Sequence, residues 1–167
     1  MAEEKKTIKK VCLIVTKGTL DMAYPPLMIA AAAAASGIEV HIFCTFWGLN
    51  ILKKGGADSL QISPVGKPEM PKPDFLPFSM PNIVSVLPGM TPMATWMMKG
   101  KIKKIGMATV PELIKSAHEM GVHFHACTPT MNLMQCPKED LIPEVEDCIG
   151  VAGFLELAAD SDLTLFI

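Results

Sequence analysis

A three-layer α/β/α sandwich around a mainly parallel sheet of about five strands is the fold this chain predicts, and three observations predict it. Short apolar runs rich in β-branched residues, Val11-Cys-Leu-Ile-Val-Thr16 foremost, have the length of strands and the composition of strands covered on both faces. These runs alternate with helical stretches, an order that makes parallel strands joined by helices. Finally, 167 residues that are 50% hydrophobic suffice for one core without staples, so residues 1–167 are expected to form a single domain.

The elements follow in order. After the first strand comes a loop, Lys17-Gly-Thr-Leu-Asp21, and then an alanine-rich helix to Ser36 that Gly37 stops. Pro25 and Pro26 place the start of that helix near themselves, since an interior proline removes a hydrogen bond. Ile38–Cys44 reads as a second strand, and Phe46–Lys53 as a loop passing into a short helix. From about residue 55 to 104 the composition shifts: eight of fourteen prolines and six of thirteen methionines fall here, so this stretch is expected to be an insertion rather than core strands. Within it, Ile83–Leu87 is a strand candidate, and Thr91-Pro92 is the expected cap and first turn of a helix over Met93–Lys99. A helix over Val110–Met120 has Pro111 in its first turn and Gly121 beyond its end. Met120–Ala126 is expected to be a buried strand, Glu146–Ala158 a further helix and Leu163–Ile167 the last strand.

Charge narrows the function. The net charge of −2 asks for no nucleic acid and no anionic membrane as partner. All fifteen basic residues are lysine, so no guanidinium fork is available to clamp phosphate or carboxylate. The charged first ten residues resemble no signal peptide, and the apolar stretch Leu27–Cys44 is interrupted by Ser36, Gly37, Glu39 and His41, so membrane insertion is not expected. Five cysteines in such a chain point to a reducing, cytoplasmic compartment and to thiols that are reactive or buried.

Of these thiols Cys127 is the best placed. It follows the apolar run to Ala126 directly, which sets it at a strand's carboxyl end, where open parallel sheets place their chemistry. A short helix through Met131–Met134 is expected after Thr128-Pro129-Thr130, and helix N-termini favour thiolates and anions. The competing reading makes Cys127 a small buried hydrophobe. Cys136, in the loop eight residues beyond the Thr128 turn, is expected to be exposed and is the second candidate thiol. His123 and His125 share one strand face with Cys127, so His125 is a candidate to polarise the thiol, with a core or interface histidine as the alternative. Lys17 is a candidate anion contact, because the first loop also lies at the sheet's carboxyl edge. A zinc site from His41, Cys44, Cys127 and Cys136 is discounted for want of ligand spacing, and no metal is expected. Cys12 and Cys148 are expected to be buried and inert.

Taken together, Thr16–Asp21 with the alanine-rich helix, Cys44-Thr-Phe-Trp-Gly48, Pro88-Gly-Met-Thr-Pro-Met93, Ala126-Cys-Thr-Pro-Thr-Met131 and Ala158–Ile167 resemble the DsrE/DsrF-like family over essentially the whole chain. The resemblance implies a DsrEFH-like α/β sandwich, homo-oligomers, and a cysteine at the position of Cys127 that carries sulfane sulfur or thiosulfate and exchanges it with a small TusA-like carrier protein. It implies no cofactor, and it makes Cys136 an auxiliary thiol. Lys17, Thr19, Thr128, Thr130 and His125 are then the residues expected to hold the sulfur species. The chain is accordingly expected to be a sulfur-relay protein, sulfurtransferase-like if catalytic. The alternative is a non-catalytic, oligomeric ligand-binding or interaction module with Cys127 buried, using the sheet edge and the methionine-rich segment; the lysines at 99, 101, 103 and 104 are a solvated face or, in the relay reading, steer an acidic carrier protein towards the cysteine site. A thiol peroxidase is disfavoured by the lack of arginine.

Overall fold

The computed structural model describes residues 7–63 and 89–167. Strands β1 (Lys10–Val15), β2 (Glu39–Cys44), β3 (Val122–Cys127), β4 (Val145–Ile149) and β5 (Leu163–Phe166) form one sheet in the order β4-β3-β2-β1-β5. Every pairing is parallel, as buried apolar strands joined by helices require. The helices are α1 (Leu20–Ala35), α2 (Gly56–Ser59), α3 (Met90–Lys104), α4 (Val110–Glu119), α5 (Thr128–Leu133) and α6 (Val151–Ala159), with 3-10 turns at Phe46–Leu52 and Lys138–Asp140.

Strand alternation divides the apolar residues between two faces. Val11, Leu13 and Val15 of β1, Val40 and Ile42 of β2, and Val122 and Phe124 of β3 enter the main cluster with Leu20, Ala23 and Leu27 of α1 and Val110, Ile114 and Ala117 of α4. The residues between them, Cys12, Phe43 and Cys127, meet Phe154 of α6 in a separate, smaller cluster. Since β4 and β5 are opposite edges of the sheet, α6 carries the chain between them across this second face.

Several elements differ from expectation. Helix α1 begins at Leu20, so Pro25 and Pro26 are its sixth and seventh residues. The hydrogen bonds they remove fall at the near end of the helix, and burial of Leu20, Ala23 and Tyr24 against the sheet outweighs that loss. Helix α3 starts at Met90 after Gly89, whose φ of 86° suits glycine, so Thr91 and Pro92 lie inside its first turn. The stretch Glu146–Ile149, read as the start of a helix, belongs instead to edge strand β4, with Phe124 opposite Val145 and Cys127 opposite Ile149. Pairing with β3 overrides the helical look of Glu146 and Asp147. The candidate strand Ile83–Leu87 lies outside the described residues. Among the described residues no helix is long and apolar enough to cross a membrane.

Candidate functional site

Cys127 is the last residue of β3 and the N-cap of α5, with φ −74° and ψ 111°, so the backbone leaves the strand and enters the helix at the thiol itself. Pro129 at the start of α5 suits its fixed φ and missing N–H. The side chain is 3% exposed, packed with Cys12, Phe43 and Phe154 and flanked by Ile14, Ile149 and Leu157. Phe43 and Phe154 stack with centroids 4.8 Å apart, so α6 roofs this cluster with an aromatic ring.

A hydroxyl latch holds the next turn. Thr130, 3% exposed, lies 2.9 Å oxygen to oxygen from Thr45 and accepts the backbone N–H of Phe46 at 3.1 Å. Phe46 has φ 47°, a left-handed conformation that costs a residue with a Cβ roughly 1–2 kcal/mol. The latch retains it, and the exposed rings of Phe46 and Trp47 lie nearly parallel beside the carboxyl edge of the sheet. Thr130 therefore uses its hydroxyl to join α5 to the end of β2. Thr128 opens α5 and is half-buried.

Lys17 is exposed on the loop after β1. With β2 between β1 and β3, that loop stands two strand spacings, roughly 10 Å, from the end of β3. Thr19 is the N-cap of α1, yet its hydroxyl caps nothing and is buried with no hydrogen-bond partner among the described residues, an uncommon state for a buried polar atom. Two glycines bring the neighbouring backbone this close: a Cβ on Gly18 would lie 2.0 Å from the carbonyl oxygen of Trp47, and one on Gly48 would lie 2.2 Å from that of Val15. Beside this loop opens a polar cavity lined by Gly18, Asn50, Lys53, Lys54, Ser59 and Gln61.

Cys136 is not brought to Cys127. It is 5% exposed, not an open loop thiol, and packs in the main cluster on the other side of the sheet. Its backbone N–H bonds Met131, which turns the chain back under α5. Burial pushes the Cys136 thiol up; Lys53 opposes this, while Asp140 and Cys148 add to it. Burial likewise raises Cys148, which lies half-buried on β4 and not in a helix, raises Cys12, and pushes Cys44 up to about 12. All five cysteines are free thiols.

His125 has a partner at each ring nitrogen. Its Nε2 lies 2.9 Å from Nδ1 of His41, and its Nδ1 bonds Asp147 of β4. Neither nitrogen is left for the thiol of Cys127. His41 in turn reaches Glu39 through Nε2 at 2.7 Å, stacks on His123 at 4.7 Å, and has its pKa lowered chiefly by burial. His123 pairs with Glu146. Sequence reasoning weighs His41 only as a zinc ligand and misses Glu39 and Asp147; one signal is visible, in that Glu39 and His41 alternate on one strand as His123 and His125 do on another. No cluster of three histidine, cysteine or acidic side chains is arranged to hold a metal among the described residues.

The DsrE/DsrF/DrsH-like family model matches residues 7–166. The chain is 44% identical to "Sulfur carrier protein DsrE2" of Allochromatium vinosum over 159 residues, which is 95% of this chain and 98% of that protein. It is 34% identical to "Uncharacterized protein YrkE" of Bacillus subtilis, covering 95% of this chain and 97% of the other. The crystal structure of the YchN protein from E. coli superposes with a TM-score of 0.56 at 11% identity, over 96% of this chain and all of the other, a likeness of fold.

Proposed function

The chain belongs to the DsrE/DsrF/DrsH-like family, and from that premise we propose that it is a sulfur carrier with Cys127 as the acceptor thiol. One observation carries the reading: Cys127 is the thiol that ends an interior strand and stands at the N-cap position of the following helix, at the carboxyl edge where parallel sheets bind ligands. The thiolate attacks the sulfane sulfur of thiosulfate, the S–S bond breaks, sulfite leaves and Cys127 is left as a persulfide. With tetrathionate the leaving group is thiosulfate and the adduct is an S-thiosulfonate. A thiolate of a partner then attacks the outer sulfur and Cys127 departs as thiolate, so the relay needs no cofactor.

The chain's own residues supply position. Thr130 fixes α5 to β2, the unpaired hydroxyl of Thr19 offers a hydrogen bond to a ligand at the same edge, and Lys17, Lys53 and Lys54 favour an anion there. Because Phe154 covers Cys127, transfer requires α6 to give way. The recipient in this reading is a small TusA-like carrier in the cytoplasm, and the exposed apolar residues Trp47, Leu133 and Leu155 are surfaces for it or for further copies of the chain.

The burial of Cys127 also favours a second reading, a non-catalytic oligomeric module with a structural cysteine. Alkylation in native buffer separates the two. The carrier reading expects Cys127 to react and sulfur donors to protect it; a Cys127 that reacts only after unfolding rules that reading out.

A further inference from the structure

A second constellation lies on the same sheet face as Cys127, at the amino-terminal half of the strands, and it is defined by its hydrogen bonds. Four groups stand in a row across three strands: Glu39 and His41 on β2, His125 on β3 and Asp147 on β4. The row has three contacts, and each needs one proton between its two heavy atoms. Glu39 accepts a hydrogen bond from Nε2–H of His41, and Asp147 accepts one from Nδ1–H of His125. Two neutral imidazoles have now spent their protons. Nδ1 of His41 and Nε2 of His125 would then face each other lone pair to lone pair at 2.9 Å, a separation that only a hydrogen bond sustains. A third proton must sit between them.

At the Glu39 end that proton belongs to the imidazole and not to the carboxyl group. Glu39 is held below the ordinary glutamate range, first by its bond from His41 and further by Lys10, whose Nζ is 3.3 Å away. A fourth proton is refused, because two N–H groups would meet head-on in a buried space; His41 is 7% and His125 3% exposed. Among the described residues, the other groups on the pair's side of the sheet are Lys10 and Cys12 from β1, His123 and Cys127 from β3, and Glu146 beside Asp147 on β4; α6 adds the exposed Glu156.

We propose that His41 and His125 form a proton-binding site that holds one proton between two rings and ties β2, β3 and β4 together through it. The proton is the ligand, and the carboxylates of Glu39 and Asp147 supply the balancing charge. When it leaves, the contact between the rings must open, and β3 loses this tie two residues before Cys127. The site stands on its own geometry and does not rest on the sulfur-carrier reading.

Histidine-selective nitrogen NMR of the intact chain tests it, with the exposed His118 as reference ring. Between about pH 8 and about pH 5, His41 and His125 together should take up one proton, with a through-bond N–H···N coupling in the acid form. In His41→Gln the remaining ring, His125, should also take up one proton, so removing a ring leaves the count unchanged. The proposal is overturned if the wild-type pair takes up two protons as independent rings, or if the acid form lacks the N–H···N coupling. Asp147→Asn offers a second check if His41→Gln does not fold: the one-proton step should move to lower pH by a readable amount, and an unmoved step counts against the site.

Discussion

The two faces of the sheet are built to different ends. One is covered by α1 and α4, and Leu13, Ile42 and Phe124 there are at most 1% exposed. The other has a small apolar cluster around Cys127 under α6 and, beyond it, a row of histidines and carboxylates. The contrast teaches where stability and chemistry are kept apart: the strands give the first face only apolar side chains and thiols, while on the second they carry Cys127 and the paired histidines under α6, a helix of nine residues.

Substitutions can break this contrast. Phe124→Ala on the first face should be the most damaging, about 4–5 kcal/mol in denaturant unfolding, because its surroundings are filled on every side. Phe154→Ala on the second should cost less, about 3 kcal/mol, and should raise the alkylation rate of Cys127 by roughly tenfold or more as the roof loosens. If the two variants are equally destabilising and Cys127 is no more accessible, the faces do not differ as described.

Smaller effects sharpen it. Thr130→Val leaves the strained Phe46 N–H without its acceptor and should cost about 1–3 kcal/mol in thermal or denaturant melts; a neutral result removes the latch from the account. Acid should lower overall stability more gently, even though it closes the contact between the rings, because the folded pair accepts one proton where two separate histidines take two. The unfolded chain takes a proton on each histidine, whereas the folded pair takes one, and burial lowers His41. The unfolded state therefore binds more protons, so stability is full above about pH 6.5 and falls as pH drops, by about 1.4 kcal/mol per pH unit at most. His41→Gln should flatten this slope between about pH 6.5 and about pH 5, above the range in which the lowered Glu39 and Glu112 titrate.

The first face was the more legible from sequence. Apolar runs at Val11, Ile38, Met120 and Leu163 mark strands because burial on both sides leaves little polar alternation, and Gly37 and Gly121 mark helix ends with φ of 75° and 89°. Strand β4 was hidden because Glu146 and Asp147 lie on an edge strand, where pairing with β3 and not composition sets the conformation. The same gap in long-range information made Cys136 an exposed loop thiol in expectation and left open whether it reaches Cys127: eight or nine residues of chain can reach either side of a sheet, and the bond from Cys136 to Met131 turns it into the main cluster. The position of Cys127 followed from the strand before it. What surrounds it, Phe154 from one helix and the proton-sharing pair with partners on two other strands, depends on contacts between residues distant in the chain.

Intact-mass spectrometry after exposure to thiosulfate, tetrathionate or polysulfide tests the central claim most directly. A donor-dependent sulfur adduct is expected on the wild type and on Cys136→Ser, reversed by thiol reductant and missing from Cys127→Ser. An adduct that persists in Cys127→Ser, or a wild type that gains no mass from any of the three donors, would contradict it.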